Sequence, residues 1–291
     1  MAARSRKTNT ANLLTFVVVC KGRLAHLQQS LPPMLAQANT ATVVVEVECP
    51  DGTAEWVAAN HPQAQLVRHV ENGGFNLSRA RNAGLAAVTT PWMMFIDADI
   101  VIAADFMEKV APQLVAGRYH RFDSAKGPSI YGSNIVETPA ARKIGGYDEA
   151  FEGWGGEDTD FHDRLDVSGV SSLQLGSSVI NRIINHPTEV RTRFYRERNI
   201  ALSQTTNTLY RVLKRKVARL SPITQLDLPL RKTIYRVAQQ AVERAAVAPD
   251  HAVEFQMELP ADPDIQFRLA ELEQRITLRL TLAPHVSKTQ N

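Results

Sequence analysis

The run Trp92-Met93-Met94-Phe95-Ile96 constrains this chain more than any other stretch. It is uninterrupted and apolar, it lacks a helical partner pattern, and it stops on Asp97-Ala98-Asp99. Such a run reads as a strand covered on both faces, and a strand of that kind needs a sheet with helices on either side. In extended backbone, residues two apart point to the same side, so Asp97 and Asp99 are expected to aim together. Two carboxylates aimed at one place repel, and a hard divalent ion such as Mn²⁺ or Mg²⁺ relieves the repulsion. The plainer alternative is a polar strand end, with Asp99 or Asp105 capping the next helix.

The surrounding sequence repeats the strand-then-helix pattern. Leu13–Cys20 reads as a first buried strand, Lys21-Gly22-Arg23 as a turn, and Leu24, Leu27, Leu31 and Leu35 as a helical face that Pro32-Pro33 interrupts. Thr42–Val47 is a second strand, followed by the turn-rich Glu48–Thr53 and a short helix at Ala54–Asn60. Gln65–Val70 is a third strand, broken at Asn72-Gly73-Gly74, and Asn76 or Ser78 opens a helix to Ala87. Alternation of this kind predicts an α/β fold with a mostly parallel sheet, whose ligands sit beyond the carboxyl ends of the strands. The loops there carry Arg23, Asp51, Arg79, Arg81, Asp97 and Asp99. Arginine forks suit phosphate oxygens, so these residues suggest a nucleoside-diphosphate site, with Asn82 beside them and Asp51 on the base or ribose. Arg79 and Arg81 lie about 200° apart round a helix, so one of them is expected to face the site.

Downstream of Asp99 the sequence reads as helix to about Val115, polar loop over 117–128, strand over Ile130–Val136 and a short helix opened by Thr138-Pro139. A second dense stretch then runs from Ile144 to Phe161. Within it Gly153, Gly155 and Gly156 surround a lone Trp154, and acids follow at a helix expected over Asp160–Val167. Acids at a helix start are ordinary capping. An indole, glycines and carboxylates together also suit a sugar ring, whose apolar face stacks while its hydroxyls meet the acids.

These residues resemble a known family. Asp97-Ala98-Asp99 is similar to the metal-binding triplet of GT-A nucleotide-sugar glycosyltransferases. Gly153-Trp154-Gly155-Gly156-Glu157-Asp158 resembles the motif of β-1,4-galactosyltransferases, of the galactosyltransferase-like region of chondroitin polymerases and of polypeptide N-acetylgalactosaminyltransferases. Ile144-Gly145-Gly146-Tyr147-Asp148 belongs to the same pattern, and the likeness covers roughly residues 13 to 195. It implies that Asp99, with Asp97, binds the metal holding the donor diphosphate. It implies further that Trp154, Gly155, Gly156 and Glu157 meet the sugars and that Asp158 is the general base. Relatives supply another metal ligand as a histidine on a later strand, and Val179–His186 is expected to be that strand, with His186 the ligand. Glu46, Glu48 and Asp51 compete for the base-binding acid. The implied reaction moves a galactose-, GalNAc- or GlcNAc-type sugar from a UDP-sugar to a carbohydrate or glycolipid acceptor, as in polysaccharide biosynthesis. The asparate-base position points to inversion, although related polypeptide enzymes retain. A sugar nucleotidyltransferase would need a glycine-rich phosphate loop, of which Cys20-Lys21-Gly22-Arg23 is a poor version; an inactive carbohydrate-binding relative would have lost an acid.

Composition narrows the setting. With 291 residues and 44% apolar content, one large domain or two small ones can form a real core. A net charge of +3 is too small to suggest nucleic acid. Cys20 and Cys49 suit a reduced, cytoplasmic interior better than a disulfide frame. No 18-residue apolar run predicts a spanning helix, and Met1–Asn12 reads as a frayed tail. The catalytic domain is expected over 13–198 and a mostly helical extension over 199–291. In the extension Leu209, Val212, Leu213, Val217 and Leu220 form one helical face, with Arg211, Lys214, Arg215 and Arg219 opposite. Such a helix can lie peripherally on the inner face of an anionic membrane, or pack with its basic side in water. Further helices are expected over Arg231–Val247 and within Asp262–Leu282, the latter from Leu269, Leu272 and Ile276.

Overall fold

The computed structural model describes residues 12–123, 130–220, 226–247, 251–258 and 275–282. Contacts divide the chain into two units. One takes in the chain as far as Tyr147 together with Phe161–His186; the other takes in Asp148–Asp160 and the chain from Pro187 onward. The tryptophan-glycine stretch falls in the second of these units.

The first unit opens with β1 (Leu14–Cys20), α1 (Leu24–Leu35), β2 (Thr40–Glu46), α2 (Thr53–Asn60), β3 (Gln65–Arg68), α3 (Leu77–Ala87) and β4 (Trp92–Asp97). It continues through β5 (Ile100–Ile102), α4 (Phe106–Val110), β6 (Arg118–Phe122), β7 (Asn134–Glu137) and α5 (Thr138–Lys143). Helix α6 (Glu157–Val167) gives its first residues to the second unit; β8 (Ser171–Leu175) and β9 (Ile180–Ile183) follow. The sheet order is β3-β2-β1-β4-β7-β6-β8. Strands β3, β2, β1 and β4 are parallel, β7 runs against both β4 and β6, and β8 is parallel to β6. Alternate residues feed opposite faces. Phe16, Val18, Met94 and Ile96 pack with Leu27 and Leu31 of α1, whereas Val17, Val45, Met93 and Phe95 pack with Ala80 and Leu85 of α3. Each such fully buried side chain contributes about 1.5–3 kcal/mol. The unbroken apolar runs of β1 and β4 are the direct consequence.

Several expectations change. The prolines do not interrupt α1; Pro32 and Pro33 lie inside it. The carbonyls that lose a helical donor belong to Gln28 and Gln29, both exposed residues. The stretch after Asp99 is not helix throughout. Ile100-Val101-Ile102 is β-branched and pairs with β9, and only Phe106–Val110 and a 3₁₀ turn at Ala111–Gln113 follow. Within the expected 117–128 loop lies β6, with Tyr119, His120 and Phe122 buried; residues 124–129 fall outside the described residues. The strand expected at Ile130–Val136 begins only at Asn134.

The second unit holds α7 (Thr188–Thr192), α8 (Ile200–Leu220), α9 (Leu228–Val247), β10 (Val253–Glu258) and β11 (Arg275–Leu280). Its core joins Phe151, Tyr210, Leu213 and Val217 to Ile234, Tyr235, Ala238 and Phe255. The region is helical as expected, but Ile276 lies in a strand antiparallel to β10. Arg275-Ile-Thr-Leu-Arg-Leu280 alternates with period two, which suits a strand better than a helix. Leu269 and Leu272 fall outside the described residues. Among the described residues no helix is long and apolar enough to cross a membrane.

Candidate active site

In the first unit, side chains converge beyond the carboxyl ends of β1 and β4. Strand β4 ends on Asp97, Ala98 and Asp99 form a turn, and β5 leads away. The turn is held where Ser30 Oγ donates to the Ala98 carbonyl at 2.7 Å. Because a turn intervenes, the two carboxylates do not share one strand face, and they find different partners. Asp97 Oδ1 accepts from Arg81 Nη2 at 3.3 Å. Asp99 Oδ2 lies 2.8 Å from His186 Nε2 and 3.3 Å from Arg23 Nη1, and Arg23 Nη1 is also 3.3 Å from His186 Nε2.

Sheet pairing explains how residues so far apart in sequence meet. Strands β5 and β9 run antiparallel with Ile100 opposite Ile183, and Ile184 N–H donates to the Asp99 carbonyl at 2.8 Å. His186 stands just past the end of β9, not within a strand as expected. His26 of α1 stacks on it with ring centroids 5.5 Å apart. Burial, then the Arg23 charge, lowers the His26 pKa.

An oxygen and an imidazole nitrogen at this separation form a donor pair that fits a divalent ion of the Mn²⁺ or Mg²⁺ type. The full set expected, Asp97 with Asp99 and His186, is not assembled: among the described residues no group of three His, Cys, Asp or Glu side chains is arranged to hold a metal. Asp97 is turned to Arg81 instead.

Other expected donor residues have local partners. Arg79 Nε and Nη2 donate to Glu71 Oε2 at 2.9 and 2.5 Å, and it is the buried Arg81 that reaches the acidic turn. Asn82 is a structural clamp: Nδ2 donates to the Tyr147 carbonyl at 2.9 Å and Oδ1 accepts from Tyr147 N–H at 2.8 Å. Asp51 Oδ2 accepts from Leu24 N–H at 2.9 Å and Oδ1 from Thr53 Oγ1 at 2.6 Å, tying the loop after β2 to the first turn of α1. Glu46 is buried and accepts from Cys49 N–H, while Glu48 Oε2 accepts from Glu71 N–H at 3.3 Å.

In the second unit, α6 begins at Glu157 rather than Asp160, so Glu157, Asp158 and Asp160 occupy its first turn. Glu157 is buried; Trp154, Gly155, Gly156 and Asp158 are partly exposed. Asp148 forms the centre of a buried network. Its Oδ2 accepts from Lys214 Nζ at 2.7 Å and Tyr210 Oη at 2.6 Å, and its Oδ1 from Arg231 Nη1 at 2.6 Å and Ala150 N–H at 3.0 Å. Burial pushes the Asp148 carboxyl up, but the charges of Lys214 and Arg231 outweigh it and hold the pKa at about 2. Burial, then the charge of Asp148, pushes the Tyr210 phenol far up. Sequence reasoning set Lys214 on a solvated basic face, yet it is buried. The available signal was a polar stripe, Ser203, Asn207 and Lys214, on the same face of α8 as the apolar Tyr210, Leu213 and Val217.

Comparison with known proteins bears on the family and the fold. The family described as "Glycosyl transferase family 2" matches residues 15–132, and "N-terminal domain of galactosyltransferase" matches residues 127–193. A curated relative, the pre-mycofactocin glycosyltransferase of Mycobacterium tuberculosis, is 28% identical over 42% of this chain. The chain spans about a third of that relative's length, 32%. Among solved structures, a mannosyltransferase from Pyrobaculum calidifontis in complex with GDP-Man and Mn²⁺ gives a TM-score of 0.52 at 14% identity, covering 83% of this chain and 76% of that one. S. aureus TarS 1–349 in complex with UDP-GlcNAc gives 0.55 at 13% identity, covering 80% and 73%. Residues 15–132 and 127–193 are thus similar to two glycosyltransferase families, and the fold is that of GT-A glycosyltransferases.

Proposed function

We propose that this chain transfers a galactose-, GalNAc- or GlcNAc-type sugar from a UDP-sugar to a carbohydrate or glycolipid acceptor, with inversion. The observation that carries the reading is the meeting of Asp99 with His186 and Arg23 beyond the strand ends. It joins a two-residue donor pair for a cation to a guanidinium suited to phosphate. The solved relatives' ligands, GDP-Man with Mn²⁺ in one and UDP-GlcNAc in the other, support a nucleotide-sugar donor.

In this reading Asp99 and His186, with Asp97, are the residues that would hold Mn²⁺ or Mg²⁺. A divalent ion held there supplies positive charge against the leaving diphosphate. Arg23 and Arg81 bind its oxygens and are already fixed by the acidic turn. Trp154 stacks on sugar, with Gly155, Gly156 and Glu157 lining the acceptor. The acceptor hydroxyl oxygen attacks the anomeric carbon, the bond from that carbon to the diphosphate oxygen breaks, and Asp158 takes the hydroxyl proton. Asp51 accepts from the nucleobase or ribose with the lone pairs that Leu24 N–H and Thr53 Oγ1 leave open.

The exposed Arg215, Lys216 and Arg219 of α8 keep peripheral contact with an anionic membrane open as part of this proposal. The deciding experiment is a donor-hydrolysis and transfer screen across nucleotide sugars, with Mn²⁺ and with EDTA. Turnover with a UDP-hexose that EDTA abolishes is the expected result. Full turnover in EDTA removes the metal, and release of an intact sugar 1-phosphate with a nucleotide exchange signal would favour a nucleotidyltransferase.

A further inference from the structure

Within the second unit, the segment that carries Trp154, Glu157 and Asp158 lies on the C-terminal helices, and one ammonium closes it. Lys214 Nζ donates to Asp148 Oδ2 at 2.7 Å and also to Asp160 Oδ1. Asp148 stands at the start of the segment and Asp160 at its end. Between these ends, Asn207 Nδ2 donates to the carbonyls of Glu152 at 3.1 Å and Gly155 at 2.6 Å. The Tyr235 hydroxyl donates to the Glu152 carbonyl at 3.1 Å.

The glycines have a second purpose here. A Cβ on Gly153 would stand 2.4 Å from Ser203 Oγ, and one on Gly156 would stand 3.0 Å from the Asn207 Cβ. Both have positive φ, 70° and 92°, a backbone conformation that strains any side chain, and a Cβ at either position would also press on α8. The loop is therefore fitted to the helix along its length, and its two ends are drawn to one charge.

We propose that Lys214 is a positioning residue for sugar transfer: by closing Asp148–Asp160 on α8, it sets where Asp158 and Trp154 stand. This rests on the transferase reading above. Lys214 meets no reacting atom; it acts through the loop. Holding a base in one geometry raises the rate because the ordering cost has been met before the acceptor arrives. A lone ion pair that only stabilised the unit would lack this loop-specific effect.

The test uses the full chain and three variants, Lys214→Met, Lys214→Arg and Asp160→Asn. Hydrogen exchange is followed at Gly153–Thr159, with strands β1 and β4 as internal references. Lys214→Met is expected to exchange at least about tenfold faster in the loop, with the strands unchanged. It should bind UDP with Mn²⁺ within about twofold of wild type and lose at least about tenfold in kcat at unchanged donor KM. Lys214→Arg, which keeps a cation able to meet both acids, should recover most of the kcat. Asp160→Asn opens one end while Asp148 still pairs with Lys214. It should show the same pattern at smaller size, and it decides the matter if Lys214→Met does not fold. A folded variant with wild-type loop exchange, or with wild-type kcat, overturns the proposal. If the wild type transfers from no nucleotide sugar, the transferase reading fails and the positioning role falls with it; the exchange pattern then still decides whether Lys214 closes the loop.

Discussion

At the end of β4, the side chains of Asp97 and Asp99 keep 36% and 10% exposure, and Arg23 and His186 both meet Asp99 at Oδ2. In the second unit the Asp148 side chain is 0% exposed and both of its oxygens accept twice, from Lys214, Tyr210, Arg231 and Ala150. An ionised carboxylate has about four lone-pair sites, so Asp148 is saturated by protein. The two clusters share carboxylates and basic partners, yet in the function proposed here the first takes a ligand and the second is a fastening. Burial and the number of donors, not residue type, make the difference.

The sharpest way to break this comparison is to remove one acid from each cluster. Asp99→Ala is expected to lower transfer by about a thousandfold or more, because cation and diphosphate lose their anchor. Its unfolding free energy should fall by about 1–3 kcal/mol, because His186 and Arg23 lose the buried acceptor they share. Kinetics and denaturant unfolding on the same preparation read both; an active Asp99→Ala enzyme would refute the ligand role. Asp148→Ala should cost more stability still. It leaves Lys214 and Arg231 without their shared anion, and a broken buried pair costs about 3–5 kcal/mol. A loss below about 1 kcal/mol in urea unfolding would show that the network is not a fastening.

Asp158→Asn sharpens the contrast inside the loop itself. Transfer should slow by at least roughly a hundredfold while UDP and Mn²⁺ bind with near wild-type affinity. Near-normal transfer would pass the base role to Glu157 or Asp160, and loss of nucleotide binding would make Asp158 a capping residue. The smallest expected effect is in acid. The Asp148 pKa is lowered from 3.8 to about 2, so its stabilising contribution is complete above 3.8 and disappears as pH falls through about 2. The gap corresponds to roughly 2 kcal/mol. Unfolding of wild type and Asp148→Asn between pH 5 and pH 2 measures it; parallel curves would exclude Asp148 as the source.

Much of the first unit was legible because its signals are local. The apolar runs of β1 and β4 report burial on two faces, and Asn76 caps α3 through its own side chain, accepting from Arg79 N–H at 3.0 Å. Arg79 and Arg81 show where local reading stops. Helical spacing indicated that one would face the acidic turn, but the choice depended on Glu71, which binds Arg79 and leaves Arg81 for Asp97. Likewise Asn82 looked like a ligand residue and is used by the Tyr147 backbone.

The sequence by itself determined the order of strands and helices from β1 to β4, the acids at the end of β4 and the glycines around Trp154, since each depends on residue types a few positions apart. Only the tertiary structure decided that Asp99 meets His186, that Asp97 turns to Arg81, and that Lys214 is buried between Asp148 and Asp160. Those outcomes depend on pairing across long sequence separations. A lysine on an amphipathic helix carries the same local pattern whether it ends in water or between two acids, and the energy of its partners settles which.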